Sequence, residues 1–339
     1  MPLPTPPRGA GAACLIAMAA VAAGCGGASA PLAPADAAPE ATTVRTCDRD
    51  VVVAAPPRRA LAMEQNATEI LLSLGLAERM IGTAYQTDPP LPELAADYAR
   101  VPVLAEGYPS RERVLEAEPD FVYSTYASAF APDAAGPRDA LARLGVPAYL
   151  SANGCEDPSL LPERVTFAQV FREIRDIAAI FGVQEAGETL VAEQEERLDA
   201  ARTAVADAGA GETLLWHYSG TTAPYFAGCC GMPATLTGLV GARQAFDDEP
   251  QKWFEGSWEA AAALDPSVIV LADLTRGGEG DSAAQKRRFL RSNPVTRRMR
   301  AVREDRFVVV AGSETDPTVR SVLAAEKLAA GLRRLARRP

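Results

Sequence analysis

The chain has 339 residues, with 34 Lys and Arg against 44 Asp and Glu and a net charge of −10, which argues against nucleic acid as a partner because phosphate backbones are held by clustered cations. It is longer than most single hydrophobic cores, so two lobes are expected. A lone histidine, His217, does not supply the several imidazoles that hold a bare zinc or manganese ion, and no GxSxG, HExxH or Walker loop points to hydrolysis or nucleotide binding.

Residues 1–24 carry one charged side chain, Arg8, and then the apolar run "AACLIAMAAVAAG", too short to span a bilayer and ending in small residues, as secretory signals do. The following "VAAGC" resembles the bacterial lipobox, in which the cysteine thiol takes a diacylglycerol. On that reading Cys25 is the lipidated first residue of an extracytoplasmic protein anchored to the cell membrane, an ordinary secreted protein cut nearby being the alternative. Residues 25–43 include "PLAPADAAPEATT", with proline, alanine and no apolar period, and read as a flexible tether.

From Val44 on, short β-branched or apolar runs alternate with helical patterns. In chain order the strands are "RALAM", "MIGTAY", "DFVYST", "PAYLS", "TLLWHY", "VIVLAD" and "FVVVAG". Between them lie the helical patterns "ATEILLSLGL", "RERVLEAE", "PRDALARLG" and "SWEAAAAL". Such alternation predicts an α/β fold with parallel sheets covered on both faces. Midway, "VTFAQVFREIRDIAAIFGV" places Val170, Phe171, Ile174, Ile177, Ala178 and Phe181 at helical spacing, and "AGETLVAEQEERLDAARTAVADA" continues as a second helix. The organisation expected is an N-terminal Rossmann-like lobe over 44–163, one long connecting helix over 164–183 and a C-terminal lobe over 184–339.

With Cys14 in the signal and Cys25 lipidated, four cysteines remain, and four allow three pairings. Cys47 in "RTCDRD" and Cys155 in "NGCEDP" occupy polar, turn-like settings of one lobe and are the favoured disulfide. Cys229 and Cys230 are adjacent in "YFAGCCGMP", where a vicinal disulfide and two small buried thiols are both open readings. A secreted α/β enzyme with thiol redox activity would use that pair, although it lacks the C-x-x-C spacing.

One phrase occurs twice. "PSRERVLEAEPDFVY" starts at Pro109 and "GSWEAAAALDPSVIV" at Gly256, and Glu112 and Glu259 stand at the same spacing before Pro119 and Pro266. Ser110 and Ser257 suit helix N-caps, and a first-turn carboxylate favours the helix dipole. Together with "MEQNATEILLSLGLAERMIGTA", these phrases resemble the solute-binding proteins of ABC importers whose lobes are joined by one long helix, the binders of iron-siderophores, haem and cobalamin. The similarity runs from about Val44 to Leu335 and rests on the ordered set of motifs.

The resemblance implies a monomeric binding protein rather than an enzyme, with no resident cofactor or metal. Its implied partners are the membrane subunits of an ABC importer, with their ATPase subunits, and a small-molecule cargo. It further implies that Glu112 and Glu259 dock one lobe each onto the permease. Ligands of parallel sheets bind beyond the carboxyl ends of the strands, which nominates Gln65, Asn66, Tyr85, Tyr126 and Phe130 from the first lobe. The second lobe contributes His217, Tyr218, Tyr225, Trp253, Arg276 and Glu314. His217 at a strand end also suits a hydrogen-bonded structural role. Aromatic residues with polar tips suit a flat or conjugated ligand, and Arg276 an anionic one. An iron-siderophore is the leading cargo, with cobalamin and haem next. "GTAYQTDP", "PSRERVLEAEPDFVYSTYASAF" and "GCCGMP" resemble actinobacterial binders of a deazaflavin coenzyme precursor, whose phosphate an arginine would welcome.

The lipobox reading makes a direct prediction. Cys25→Ala abolishes incorporation of a fatty-acid analogue and moves the protein out of the membrane fraction or leaves it unprocessed; equal labelling of the variant would overturn the assignment.

Overall fold

The computed structural model describes residues 41–205 and 207–337; the signal region, Cys25 and the tether up to residue 40 lie outside them. Strands β1 (Thr42–Thr46) and β2 (Arg49–Val53) pair as an antiparallel hairpin, so the strand claims the last two residues of the expected tether. Its two-residue turn holds Cys47 and Asp48 at φ 49° and 56°, the left-handed pair that matches the twist of the flanking strands. Cys47 is disulfide-bonded to Cys155, with Cα atoms 5.3 Å apart, which ties the hairpin to the first lobe.

That lobe runs β3 (Ala60–Ala62), α1 (Gln65–Ser73), β4 (Met80–Ala84), α2 (Ala95–Tyr98), β5 (Val103–Ala105), α3 (Arg111–Glu116), β6 (Phe121–Ser124), α4 (Arg138–Arg143) and β7 (Ala148–Leu150). Its strands are all parallel, in the order β5-β4-β3-β6-β7. The chain builds outwards in both directions from β3 and β6, and the gap between these two is the place where an open parallel sheet leaves a crevice for a ligand.

Two helices follow. α5 (Phe167–Phe181) begins with a capping box between Thr166 and Gln169 and ends at Gly182, whose φ of 67° is the left-handed cap that glycine adopts without a Cβ clash. α6 (Gln184–Val205) follows it. The second lobe contains β8 (Thr213–Ser219), β9 (Tyr225–Ala227), α7 (Met232–Leu239), β10 (Arg243–Gln244), β11 (Trp253–Glu255), α8 (Trp258–Leu264), β12 (Val268–Asp273), α9 (Ala283–Ser292), α10 (Arg300–Arg303), β13 (Phe307–Ala311) and α11 (Ser321–Ala336). Here β10, β12 and β13 run parallel with β8, whereas β9 pairs antiparallel with β8 and β11 antiparallel with β9. The second sheet is therefore mixed.

The repeated phrase folds the same way twice. Ser110 and Ser257 cap α3 and α8 by accepting from the N–H three residues on. Glu118 and Asp265, each before its proline, have φ values of 49° and 41°. Glu112 and Glu259 are exposed in the first turns.

One hydrophobic core passes through both lobes. It joins Leu71 and Phe121 of the first to Phe181 of α5, Leu198 of α6, Leu328 of α11 and Val308 of the second. The rings of Phe121 and Phe181 meet edge to face at 5.6 Å. Within this seam the Arg320 guanidinium forms a two-pronged ion pair with Glu69, 4% and 0% exposed, and also donates to the carbonyl of Pro89. Removing one member of such a pair strands a charge in a dry site. Arg320→Leu is therefore predicted to cost about 3–5 kcal/mol in urea unfolding, with Glu69→Gln recovering part of the loss in the double variant. A cost below about 1 kcal/mol, as for an exposed pair, would show that the tie is not holding the lobes.

Candidate ligand-binding site

The carboxyl ends of both sheets open onto one cavity of about 740 Å³. From the first lobe, the turn after β3 brings Glu64, Gln65 and Asn66, the turn after β4 brings Tyr85, Thr87 and Asp88, and Tyr108 and Tyr126 follow β5 and β6. From the second, β8 ends in Tyr218, the β9–β11 extension supplies Tyr225 and Trp253, Leu274 to Arg276 follow β12, and Ser313 and Asp316 follow β13. The aromatic walls are built in groups. Tyr85 and Tyr108 meet edge to face at 4.9 Å, while Trp253 lies 5.0 Å from Tyr218 and stacks at 6.3 Å on Tyr225. Tyr85 is held at φ 47°, a strained conformation for a non-glycine residue of the kind found where a side chain must be aimed at a site.

The floor is polar and crosses between the lobes. Gln65 organises its own lobe, its Oε1 accepting from the backbone N–H groups of Thr87 (3.0 Å) and Asp88 (2.7 Å). The Asp88 carboxylate then accepts from the Ser313 N–H (2.8 Å) and hydroxyl (2.5 Å). Asn66 Nδ2 donates to Asp316 at 3.2 Å, and the Thr275 hydroxyl donates to the carbonyl of Thr87. Glu64 accepts from the Ser124 hydroxyl (2.7 Å) and the Thr125 N–H (2.5 Å), yet burial still pushes its carboxyl up to about 7. Burial likewise raises Asp316 to about 6. Arg276 sits on the Tyr218 face, 5.7 Å from the ring centre, and pairs with Asp281 at 2.8 Å.

Eight residues nominated from sequence, Gln65, Asn66, Tyr85, Tyr126, Tyr218, Tyr225, Trp253 and Arg276, line this cavity. Three do not. His217 is buried on the opposite face of β8, its Nε2 against the carbonyls of Ser219 and Gly220 and its ring 4.9 Å from that of Trp258. Successive strand side chains point to opposite faces, so His217 and Tyr218 part company. Burial, with the nearby Lys286 charge, lowers the imidazole to about 3 and keeps it neutral. Phe130 is 4% exposed within the outer core of the first lobe, and Glu314 turns back to accept from the Ala311 N–H and to pair with Lys327.

Sequence reasoning missed the three carboxyls Glu64, Asp88 and Asp316, although Glu64 and Asp316 lie within two residues of nominated positions. It missed Tyr108 because β5 is only three residues long and shows no period. It also missed Lys286, which carried no signal at all: its buried ammonium donates to the carbonyls of Tyr218 (2.5 Å), Asp281 (2.8 Å) and Ala272. In this way one cation clamps the loops that present Tyr218 and Arg276. Cys229 and Cys230 are bonded to each other in the loop after β9, outside the cavity lining.

Two α/β lobes fixed around a connecting helix, with an aromatic cleft at their strand ends, define a two-lobed solute receptor. Residues 61–313 match the periplasmic binding protein family, and the chain belongs to it; members are solute-binding proteins rather than enzymes, which sets aside the thiol-redox alternative. They work with the membrane permeases of ABC importers. The chain is 25% identical to the vitamin B12-binding protein of Pectobacterium atrosepticum over 235 residues, 69% of this chain and 76% of that one. The crystal structure of a periplasmic binding protein from Veillonella parvula superposes with a TM-score of 0.76 at 28% identity, covering 86% of this chain and 97% of that one. An ABC-type Fe3+-hydroxamate transport protein from Saccharomonospora viridis shares the fold, with a TM-score of 0.71 at 23% identity over 86% and 98% of the two chains. No helix among the described residues is long and apolar enough to cross a membrane.

The buried carboxyls set a pH dependence. Because the folded pKa of Glu64 is raised from 4.5 to about 7, its stabilising contribution is complete below about pH 4.5 and is lost as pH rises through 7. Its size is about 3 kcal/mol, and Asp316 and Glu173 act in the same direction. Glu64→Gln should therefore flatten the fall in unfolding free energy between about pH 5 and pH 8. Parallel curves for wild type and variant would contradict this.

Proposed function

We propose that this protein is the lipid-anchored substrate receptor of an ABC importer, taking an iron-siderophore, or a comparable chelate or cofactor such as cobalamin or haem, into the inter-lobe cleft and passing it to the permease. The observation that carries the reading is the pair of aromatic walls, Tyr85 and Tyr108 from one lobe and Tyr218, Tyr225 and Trp253 from the other, facing one cavity. Aromatic faces recognise conjugated or bulky surfaces without demanding one hydrogen-bond pattern, and the cavity lies within the usual range of small-molecule sites. A phosphorylated deazaflavin precursor suits the site less, since Arg276 is engaged by Asp281 and the floor is acidic.

Cargo identity is read by mass spectrometry of the small molecule that co-purifies from the native host. Of the three tryptophans, Trp216 and Trp258 are buried and Trp253 lines the cavity, so cargo should quench fluorescence that Trp253→Phe largely removes. Quenching that persists in this variant would move the site elsewhere.

Delivery gives a separate prediction. Glu112→Ala and Glu259→Ala remove exposed carboxylates outside the cavity, so cargo affinity stays within about twofold while transport by the reconstituted importer falls, most in the double variant. Interfacial charge pairs couple by about 1.5 kcal/mol or more. Unimpaired transport by the double variant would return both residues to a helix-dipole role.

A further inference from the structure

The following rests on the inter-lobe cleft being the cargo site. We propose that the cleft selects a cargo presenting a positively charged, hydrogen-bond-donating group, such as an amine-bearing chelate, to a box of tyrosine and tryptophan faces closed by the carboxyls of Glu64, Asp88 and Asp316.

Charge accounting within the lining supports this. Glu64, Asp88 and Asp316 all line the cavity, and their partners are neutral donors: Ser124 and Thr125 for Glu64, Ser313 for Asp88, Asn66 for Asp316. Among the described residues no basic side chain is hydrogen-bonded or ion-paired to any of the three. The nearby buried cation Arg320 is committed to Glu69. Arg276, the one basic residue of the lining, is committed to Asp281. Once ionised, as Glu64 and Asp316 are at about pH 8, carboxylates keep spare lone pairs after two hydrogen bonds, so at that pH, where the test below is run, these groups are acceptors waiting for donors.

The walls favour the same ligand. Aromatic faces attract cations, and the site already displays the effect where the Arg276 guanidinium covers Tyr218. The N-terminus of α1 also reaches this end of the cavity and alone would favour an anion. Glu64 stands at its cap, however, and Asp316 is bonded to Asn66 in its first turn, so carboxyls already occupy the place an anion would take. An anionic cargo would have to be brought against them.

The test uses three linear iron(III) tris-hydroxamate chelates that differ only at one terminus: a free amine, its neutral acetylated form and its anionic succinylated form. Titration of the purified protein at about pH 8 and low ionic strength, followed through Trp253 fluorescence, should rank them amine, then acetyl, then succinyl, with about tenfold or more between the extremes. Glu64→Gln and Asp316→Asn should each narrow the gap, and the wild-type ranking alone decides if either variant folds poorly. Equal affinities, or the reverse ranking, overturn this inference and leave the receptor assignment standing. Binding of none of the three overturns the chelate reading, and the inference falls with it.

Discussion

The structure depends on a single apolar seam that is shared by both lobes and crossed by one buried ion pair. α5 and α6 contribute Phe181 and Leu198 to the same core as Leu71 on one side and Leu328 and Val308 on the other, and Glu69 and Arg320 lock inside it. Closely packed interiors resist continuous deformation. The two sheets therefore keep a fixed relation, and strand ends separated by some 250 residues can build one hydrogen-bonded floor, as Asn66 and Asp316 do.

That fixed relation has a chemical consequence. Loops at strand ends are ordinarily mobile and solvated, but here they are held by polar contacts, some within each lobe and some made only because the lobes meet. Asp88 grips Ser313 across the cleft, and Gln65 fixes the loop that carries Asp88. On the far side, the Lys286 ammonium binds three carbonyls in the manner of a small resident cation. The floor groups are thereby dehydrated, which raises Glu64 and Asp316, while the aromatic walls stay open to the cavity. A preorganised site loses less entropy when a ligand arrives.

Fold class and the alternation of strands and helices follow from local chemistry, and the sequence by itself determined them; it did not determine the strand order in each sheet or the antiparallel pairings of β9 and β11. β-Branched runs and period-3.6 patterns marked the longer strands and helices, the apolar spacing from Val170 to Phe181 marked the connector, and the spacing of Glu112 and Glu259 announced the repeated helix–strand unit. Strand-end reasoning also found Tyr85, Tyr126 and Tyr218, because parallel sheets place their ligand loops at the carboxyl ends. What carried no local signal was missed: β5, β10 and β11 are two or three residues long, and β1 and β2 form a hairpin outside both main sheets.

Only the tertiary structure decided which strand-end side chains face the ligand. His217 and Tyr218 are neighbours in sequence, and the pleat sends one into a dry core and the other into the cleft. Glu314 and Asp316 lie two apart; a backbone N–H and Lys327 draw the first away, and Asn66 from the other lobe holds the second at the floor. The acidic character of the site was illegible for the same reason. A carboxyl's neighbours set its charge and its role, and for Asp88 and Asp316 those neighbours come from the opposite lobe.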